Sequence, residues 1–166
     1  FQVSPELQIV VVLAYGGYFY MDLTPATLED VDYICHLQRI EANREDALGF
    51  LPKSVYEREI QSRGTILLAR ENDDEVGFVY ATHNRHGITT VQQVGVQDDA
   101  RRLEIGTALV EASVKENDFL VKLRCRKGLP SVSFWESQGF DIVDLVESGR
   151  RGPVYRFQKI VGGLWM

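Results

Sequence analysis

An aliphatic stretch with strand character, Ile88 to Val96, runs through a short polar turn into an amphipathic helix pattern, Arg102 to Glu116. This junction constrains the fold more than any other feature of the chain. The first amides of a helix have no internal partners and must be satisfied from outside. Together with the helix dipole they form a site suited to an anion such as a pyrophosphate. Arg101 and Arg102 add positive charge there, and Gly106 lets the backbone approach a ligand closely. A glycine near a helix start also serves an ordinary structural turn, so the junction alone fixes no ligand.

The pattern around the junction predicts one α/β domain. Met21 to Pro25 is short and strand-like, and Thr27-Leu28-Glu29-Asp30 resembles a capping box. Leu28, Val31, Ile34, Cys35 and Gln38 follow at helical spacing, apolar except at the last, so a helix runs to about Ala42. Asn43 to Leu51 is a polar link, and Pro52 opens a second helix carrying Val55, Tyr56, Glu59 and Ile60. Beyond Gly64 the period changes to that of strands. Thr65–Arg70 and Val76–His83 flank a hairpin turn at Glu71–Asp74, and Ile88–Val96 makes a third strand. After the Arg102 helix come a strand at Phe119–Cys125 and a short helix at Pro130–Gln138, which Gly139 ends. Phe140–Val146 and Val154–Val161 complete the sheet.

A chain of 166 residues with 45% hydrophobic and 25% charged residues has the size and balance of one soluble domain. A net charge of -6 argues against a main role in gripping nucleic acid and suits a cationic substrate better. The apolar run Gln8–Tyr20 is too short to span a bilayer, and no basic region or small-residue cleavage site marks it as a signal peptide. Residues 1–20 are expected to be an extension or an extra strand, ahead of a domain at 21–161. The apolar run is also compatible with a homodimer. Cys35 and Cys125 form no metal-spaced pair and read as buried free thiols, so no metal is expected and a reducing cytoplasm is the expected compartment.

Two motifs carry a family resemblance. Arg101-Arg102-Leu103-Glu104-Ile105-Gly106 resembles the signature Arg/Gln-x-x-Gly-x-Gly/Ala of the GNAT acetyltransferase superfamily, with Glu104 where the family has glycine. Gly128 to Phe140 resembles the later motif Asn-x-x-Ala-x-x-Phe-Tyr-x-x-x-Gly-Phe. Phe134, Gly139 and Phe140 match it, while Gly128, Ser131 and Trp135 replace asparagine, alanine and tyrosine. The resemblance implies a GNAT-type fold: a central mixed, mostly antiparallel sheet with about four helices and a splayed strand pair. Acetyl-CoA is then the cosubstrate, held by Val94, Val96, Arg101, Arg102, Leu103, Glu104, Ile105, Gly106 and Thr107, with Ser131, Phe134 and Trp135 alongside. Ile88–Val96 is expected to carry a bulge, at which Gly95 is small enough to sit.

The implied chemistry is transfer of an acetyl group to a primary amine of a small molecule or peptide, by direct attack in a ternary complex. The backbone amide of Val94 is placed to hold the oxyanion. The leaving thiolate needs a proton, and Trp135 stands where relatives carry a tyrosine; an indole is no usable acid. No carboxylate lies in Ile88–Gln93 to act as base, and Tyr155, Glu41, Glu45 and Asp46 are the residues that could reach the cleft, with water-mediated proton transfer as the alternative. Two further readings stay open. One is an acyl-CoA-binding module with little or no catalysis, which Glu104 and Trp135 favour. The other is acetylation of charged tRNA, for which the chain offers only local clusters such as Lys122, Arg124, Arg126 and Lys127.

Overall fold

The computed structural model describes residues 8–14, 17–43, 51–62, 64–97, 102–147 and 152–162. In chain order these form β1 (Gln8–Ala14), β2 (Gly17–Pro25), a 3-10 turn (Leu28–Asp30), α1 (Val31–Asn43), α2 (Lys53–Gln61), β3 (Thr65–Glu71) and β4 (Asp74–His83). Then follow β5 (Ile88–Val96), α3 (Arg102–Ser113), β6 (Leu120–Arg126), α4 (Ser131–Ser137), β7 (Asp141–Val146) and β8 (Val154–Ile160). The strands lie in one sheet in the order β1-β2-β3-β4-β5-β6-β8-β7. Every neighbouring pair is antiparallel except β5–β6, which α3 joins as a parallel crossover. No helix among the described residues is long and apolar enough to cross a membrane.

Local chemistry explains several of the boundaries. Asn72 and Asp73 both take positive φ, 51° and 67°, and make the two-residue turn between β3 and β4, because their short polar side chains tolerate the left-handed region. The Thr27 amide donates to Asp30 Oδ2 at 2.8 Å, which closes the capping box read from the sequence. Asp30 is itself buried and receives Arg70 of β3, so the cap also ties the start of α1 to the sheet. The α3 helix stops at Ser113, short of the expected Glu116, where the Ser113 hydroxyl turns back onto Val110 O at 2.7 Å. The expected domain start at Met21 falls inside β2, which runs from Gly17 and pairs with β1 along that strand's length.

Alternation along the strands divides the core in two. Ile66, Leu68, Phe78 and Tyr80 face α1 and α2, packing with Ile34, Leu37 and Tyr56. The opposite face carries Ala69, Val79, Val91, Val96, Val121, Leu123 and Phe157 under α3 and α4, which contribute Ile105, Leu109 and Trp135. Each face buries enough large side chains to hold its helices without disulfides, at roughly 1.5–3 kcal/mol per fully buried side chain. Cys125 is buried and Cys35 is only partly so; the latter lies on α1 rather than in the core expected for it.

Candidate functional site

The β5–β6 pair is the only parallel pair among the described residues and also the least complete. Pairing covers Ile88–Leu120, Thr89–Val121 and Thr90–Lys122, and there it stops. Above Thr90 the two strands diverge, which leaves Val91–Val96 and Leu123–Arg126 on opposite arms of a V. On its other edge β5 stays paired to β4 up to Gly77–Val96, so the divergence is one-sided.

The direction of the free backbone groups follows from the ladder. Gln97 N–H donates to Val76 O at 2.9 Å, continuing the register in which Gly95 opposes Phe78 and Gln93 opposes Tyr80. In an antiparallel ladder hydrogen-bonded and non-bonded pairs alternate, so Gly95 and Gln97 turn their polar groups to β4. Val94 and Val96 therefore turn theirs into the V. Such groups need partners when water is excluded.

A bulge sets this phase, and it lies at Gln92. Tyr80 opposes Gln93 whereas Ala81 opposes Val91, which leaves Gln92 as the extra residue. Gly95, the residue expected at the bulge, pairs in register with Phe78. The reason is polar bonding on the α1/α2 face: Gln92 Nε2 donates to Thr82 Oγ1 at 3.1 Å, and Gln93 Nε2 donates to Gln38 Oε1 at 3.0 Å. Gln38 in turn holds the backbone of Leu51, donating to its carbonyl at 3.0 Å and accepting from its amide at 2.7 Å. The Tyr56 hydroxyl lies against Oε1 of both Gln38 and Gln93 and shares its one proton between them. Burial raises the Tyr56 pKa far above the ordinary tyrosine value, so the hydroxyl keeps that proton. This network ties α1, α2 and the bulge together. Sequence reasoning missed it, although Gln38 was the polar residue on an otherwise apolar helical stripe.

The α3 helix begins at Arg102, directly above the open end of β5. Arg101 lies outside the described residues. Leu103 is exposed and Glu104 partly so, whereas Ile105 and Gly106 are buried and offer a ligand only their backbone. A Cβ on Gly106 would sit 3.4 Å from Phe134 Cζ, so the missing side chain also brings α3 and α4 together. Thr107 Oγ1 donates back to Leu103 O at 2.8 Å within the helix.

On the α4 side, Ser131 Oγ lies 3.2 Å from Cys125 Sγ, at the inner wall of the β6 arm. Burial pushes the Cys125 thiol above the ordinary range, which makes it a poor nucleophile. Trp135 is 6% exposed, edge-on to Phe134 at 4.9 Å and to Phe140 at 5.3 Å, so its indole is part of the core. Tyr155 of β8 opposes Cys125 of β6 and shares its face, half-buried and edge-on to Phe157. It is the one phenol that the register sets beside the V on this face among the described residues. The side chain of Glu41 and the positions of Glu45 and Asp46 lie outside the described residues.

His83, which the sequence gives no role, sits at the opposite, closed end of β5. Thr89 Oγ1 donates to Asp118 Oδ2 at 2.6 Å, so towards His83 Nδ1, 3.0 Å away, it can only accept. Nδ1 therefore carries a proton, and Nε2 meets Thr65 Oγ1 at 3.0 Å. Asp118 and Thr89 are buried, which makes this a polar clasp between β3, β4, β5 and the segment before β6.

The fold and the sequence agree with one family. A profile described as "Acetyltransferase (GNAT) domain" matches residues 62–142. No curated protein matches the chain at the level of sequence. Among solved structures, Ard1 from Thermoplasma volcanium superposes with a TM-score of 0.73 at 14% identity, covering 86% of this chain and 99% of its own. The ribosomal-protein-S18-alanine N-acetyltransferase from Escherichia coli gives 0.69 at 15% identity, covering 88% and 98%. Arabidopsis thaliana Naa50, in complex with a bisubstrate analogue, gives 0.67 at 16% identity, covering 85% and 99%. The matched segment spans the β5 arm, α3, β6 and α4 and is similar to a GNAT acetyltransferase domain, and the chain as a whole shares the fold of these acetyltransferases.

Proposed function

We propose that the protein transfers an acetyl group from acetyl-CoA to a primary amine of a small molecule or peptide, by direct attack in a ternary complex. The observation that carries this reading is the one-sided opening of β5, with the polar groups of Val94 and Val96 turned into the V. An amide-bearing arm such as pantetheine matches that edge as a strand would, and solved structures of relatives include one with a CoA-peptide analogue and one with acetyl-CoA. The amides at the start of α3, with Arg101 and Arg102, suit the pyrophosphate.

On this reading the residues take the following roles. The Val94 amide polarises the thioester carbonyl and holds the developing oxyanion. Val96 pairs with the arm, while Ser131 and Phe134 border it. Tyr155 protonates the departing thiolate, a role that the indole of Trp135 is too weak an acid to take. Glu104 turns its carboxylate away from the phosphates, and the incoming amine loses its proton to water before attack. Much of the rate then comes from holding the two substrates together.

Release of free thiol from acetyl-CoA, measured over a panel of polyamines, aminoglycosides and peptides, tests the reading. Turnover on at least one amine is expected, with Tyr155→Phe lowering kcat by roughly 10²-fold or more and leaving the affinity for CoA intact. Hydrogen exchange gives a second readout: CoA should protect the Val94 and Val96 amides and leave Gly95 as it was. CoA binding without turnover on any amine would instead establish the second reading, an acyl-CoA-binding module. Trp135 in the proton donor's place favours that alternative.

A further inference from the structure

The α1/α2 face of the sheet changes character at the V. Over β3, β4 and β5 it is covered by α1 and α2. On β6 the residues of that face are Lys122, Arg124 and Arg126, because the alternate set, Val121, Leu123 and Cys125, is buried under the other helices. Lys122 stands at the last rung of β5–β6 pairing, and Arg124 and Arg126 follow up the free arm. Thr90 shares the face and the rung with Lys122, so the row of cations starts at the crotch of the V.

Three observations turn this row into a recognition surface. Charge is graded across the strands: cations line β6, Arg156 of β8 is offset by Asp144 at 3.6 Å, and the outer strand β7 carries Asp141 and Asp144. The gradient drives an anionic chain toward the cleft and away from the sheet edge. Arg124 and Arg156 stand directly opposite each other in β6 and β8, and among the described residues Asp144 reaches only Arg156 of the two, which leaves the counter-charge for Arg124 to come from outside. Lys122 and Arg124 have no ion pair among the described residues, and Arg124 is exposed.

We propose that this strip docks the acceptor, and that the acceptor is an acidic peptide whose carboxylates lie along Lys122 and Arg124 with its amine at the V. The proposal rests on the acetyl-transfer reading for the amine's fate, but docking itself is independent of turnover. A few cations in a chain of net charge -6 suit a short acidic segment, whereas nucleic acid demands a broad positive field.

The test uses two short fluorescein-labelled peptides with free amino termini, one with Asp and Glu after the first residue and one with Asn and Gln in their place. Binding to the CoA-loaded protein is measured by anisotropy, and acetylation by thiol release. The wild type should favour the acidic peptide by roughly tenfold or more at about 0.05 M salt, with the preference shrinking at about 0.5 M. Arg124→Glu should reverse the preference and leave CoA affinity unchanged. If that variant fails to fold, Arg124→Gln removes the opposed charges without adding one, and should still collapse the preference. Equal binding of both peptides by the wild type overturns the proposal. So does loss of CoA affinity in either variant, which would make the strip a cofactor phosphate contact, or tighter binding of a single-stranded oligonucleotide than of the acidic peptide. Acidic-peptide binding without acetylation would leave the docking strip standing and sink the transferase reading alone.

Discussion

The two ends of the β5–β6 pair are built from the same strands by opposite means. At the lower end three rungs of backbone pairing are backed by buried side chains, where Asp118 accepts from Thr89 and His83 spans to Thr65. At the upper end the ladder is missing, and the strand is held from one side only, by β4 and by the Gln38–Gln93–Tyr56 network. The lower end satisfies its polar groups internally; the upper end leaves two backbone positions for something else. A cleft of this kind stays open because its hinge point is pinned, not because its walls are stiff.

Breaking the pinned end should have the largest effect. Asp118→Ala removes the acceptor of a buried hydroxyl and imidazole, and is expected to cost about 3 kcal/mol in urea denaturation. Loss of less than about 1 kcal/mol would mean that backbone pairing alone fixes the hinge. Crowding the open end comes next. A Cβ on Gly77 would lie 2.9 Å from the Gly95 carbonyl oxygen, so Gly77→Ala must push β5 outward; about 2 kcal/mol and a weaker affinity for CoA are expected. Unchanged calorimetric CoA binding would show that the V tolerates a displaced arm. The smallest effect belongs to Tyr56→Phe, about 1 kcal/mol, since both glutamines keep other partners.

Three buried or half-buried groups give a pH signature: Tyr56 of that network, Tyr33 of α1, whose hydroxyl donates to Gln97 Oε1 at 3.3 Å, and Cys125 of β6. Burial raises the pKa values of Tyr56, Tyr33 and Cys125 in the folded chain, so the native state retains protons that the unfolded chain gives up. Their contribution is fully present at neutral pH and declines from the ordinary cysteine value of 9.0 and tyrosine value of 10.0 upward. Stability measured from pH 7 to 11 should fall at the alkaline end, and less steeply in Tyr56→Phe. A flat profile would remove burial as the cause.

Much of this was legible in the sequence because it is written locally. The hairpin at Asn72–Asp73, the cap at Thr27–Asp30 and the stop at Gly139 each depend on residues within a few positions of one another. The two sequence motifs carry the GNAT resemblance for the same reason, and the profile matched to residues 62–142 agrees with it. The bulge was misplaced, since Gly95 permits one but Gln92 acquires partners only across the fold, at Thr82, while its neighbour Gln93 reaches Gln38. His83 went unread because its partners Thr65 and Asp118 sit 18 and 35 positions away. Trp135 was ambiguous until Phe134 and Phe140 closed on it.

That enclosure has an optical consequence. Trp135 is one of two tryptophans in the chain, and its indole is wedged beside the phenylalanine that abuts Gly106 on α3. With Trp165→Phe in the background, emission comes from Trp135 alone. Its wavelength then registers whether the core is dry, and its intensity registers small movements of α3 against α4. The buried indole thereby becomes a built-in gauge of how α3 and α4 sit against each other.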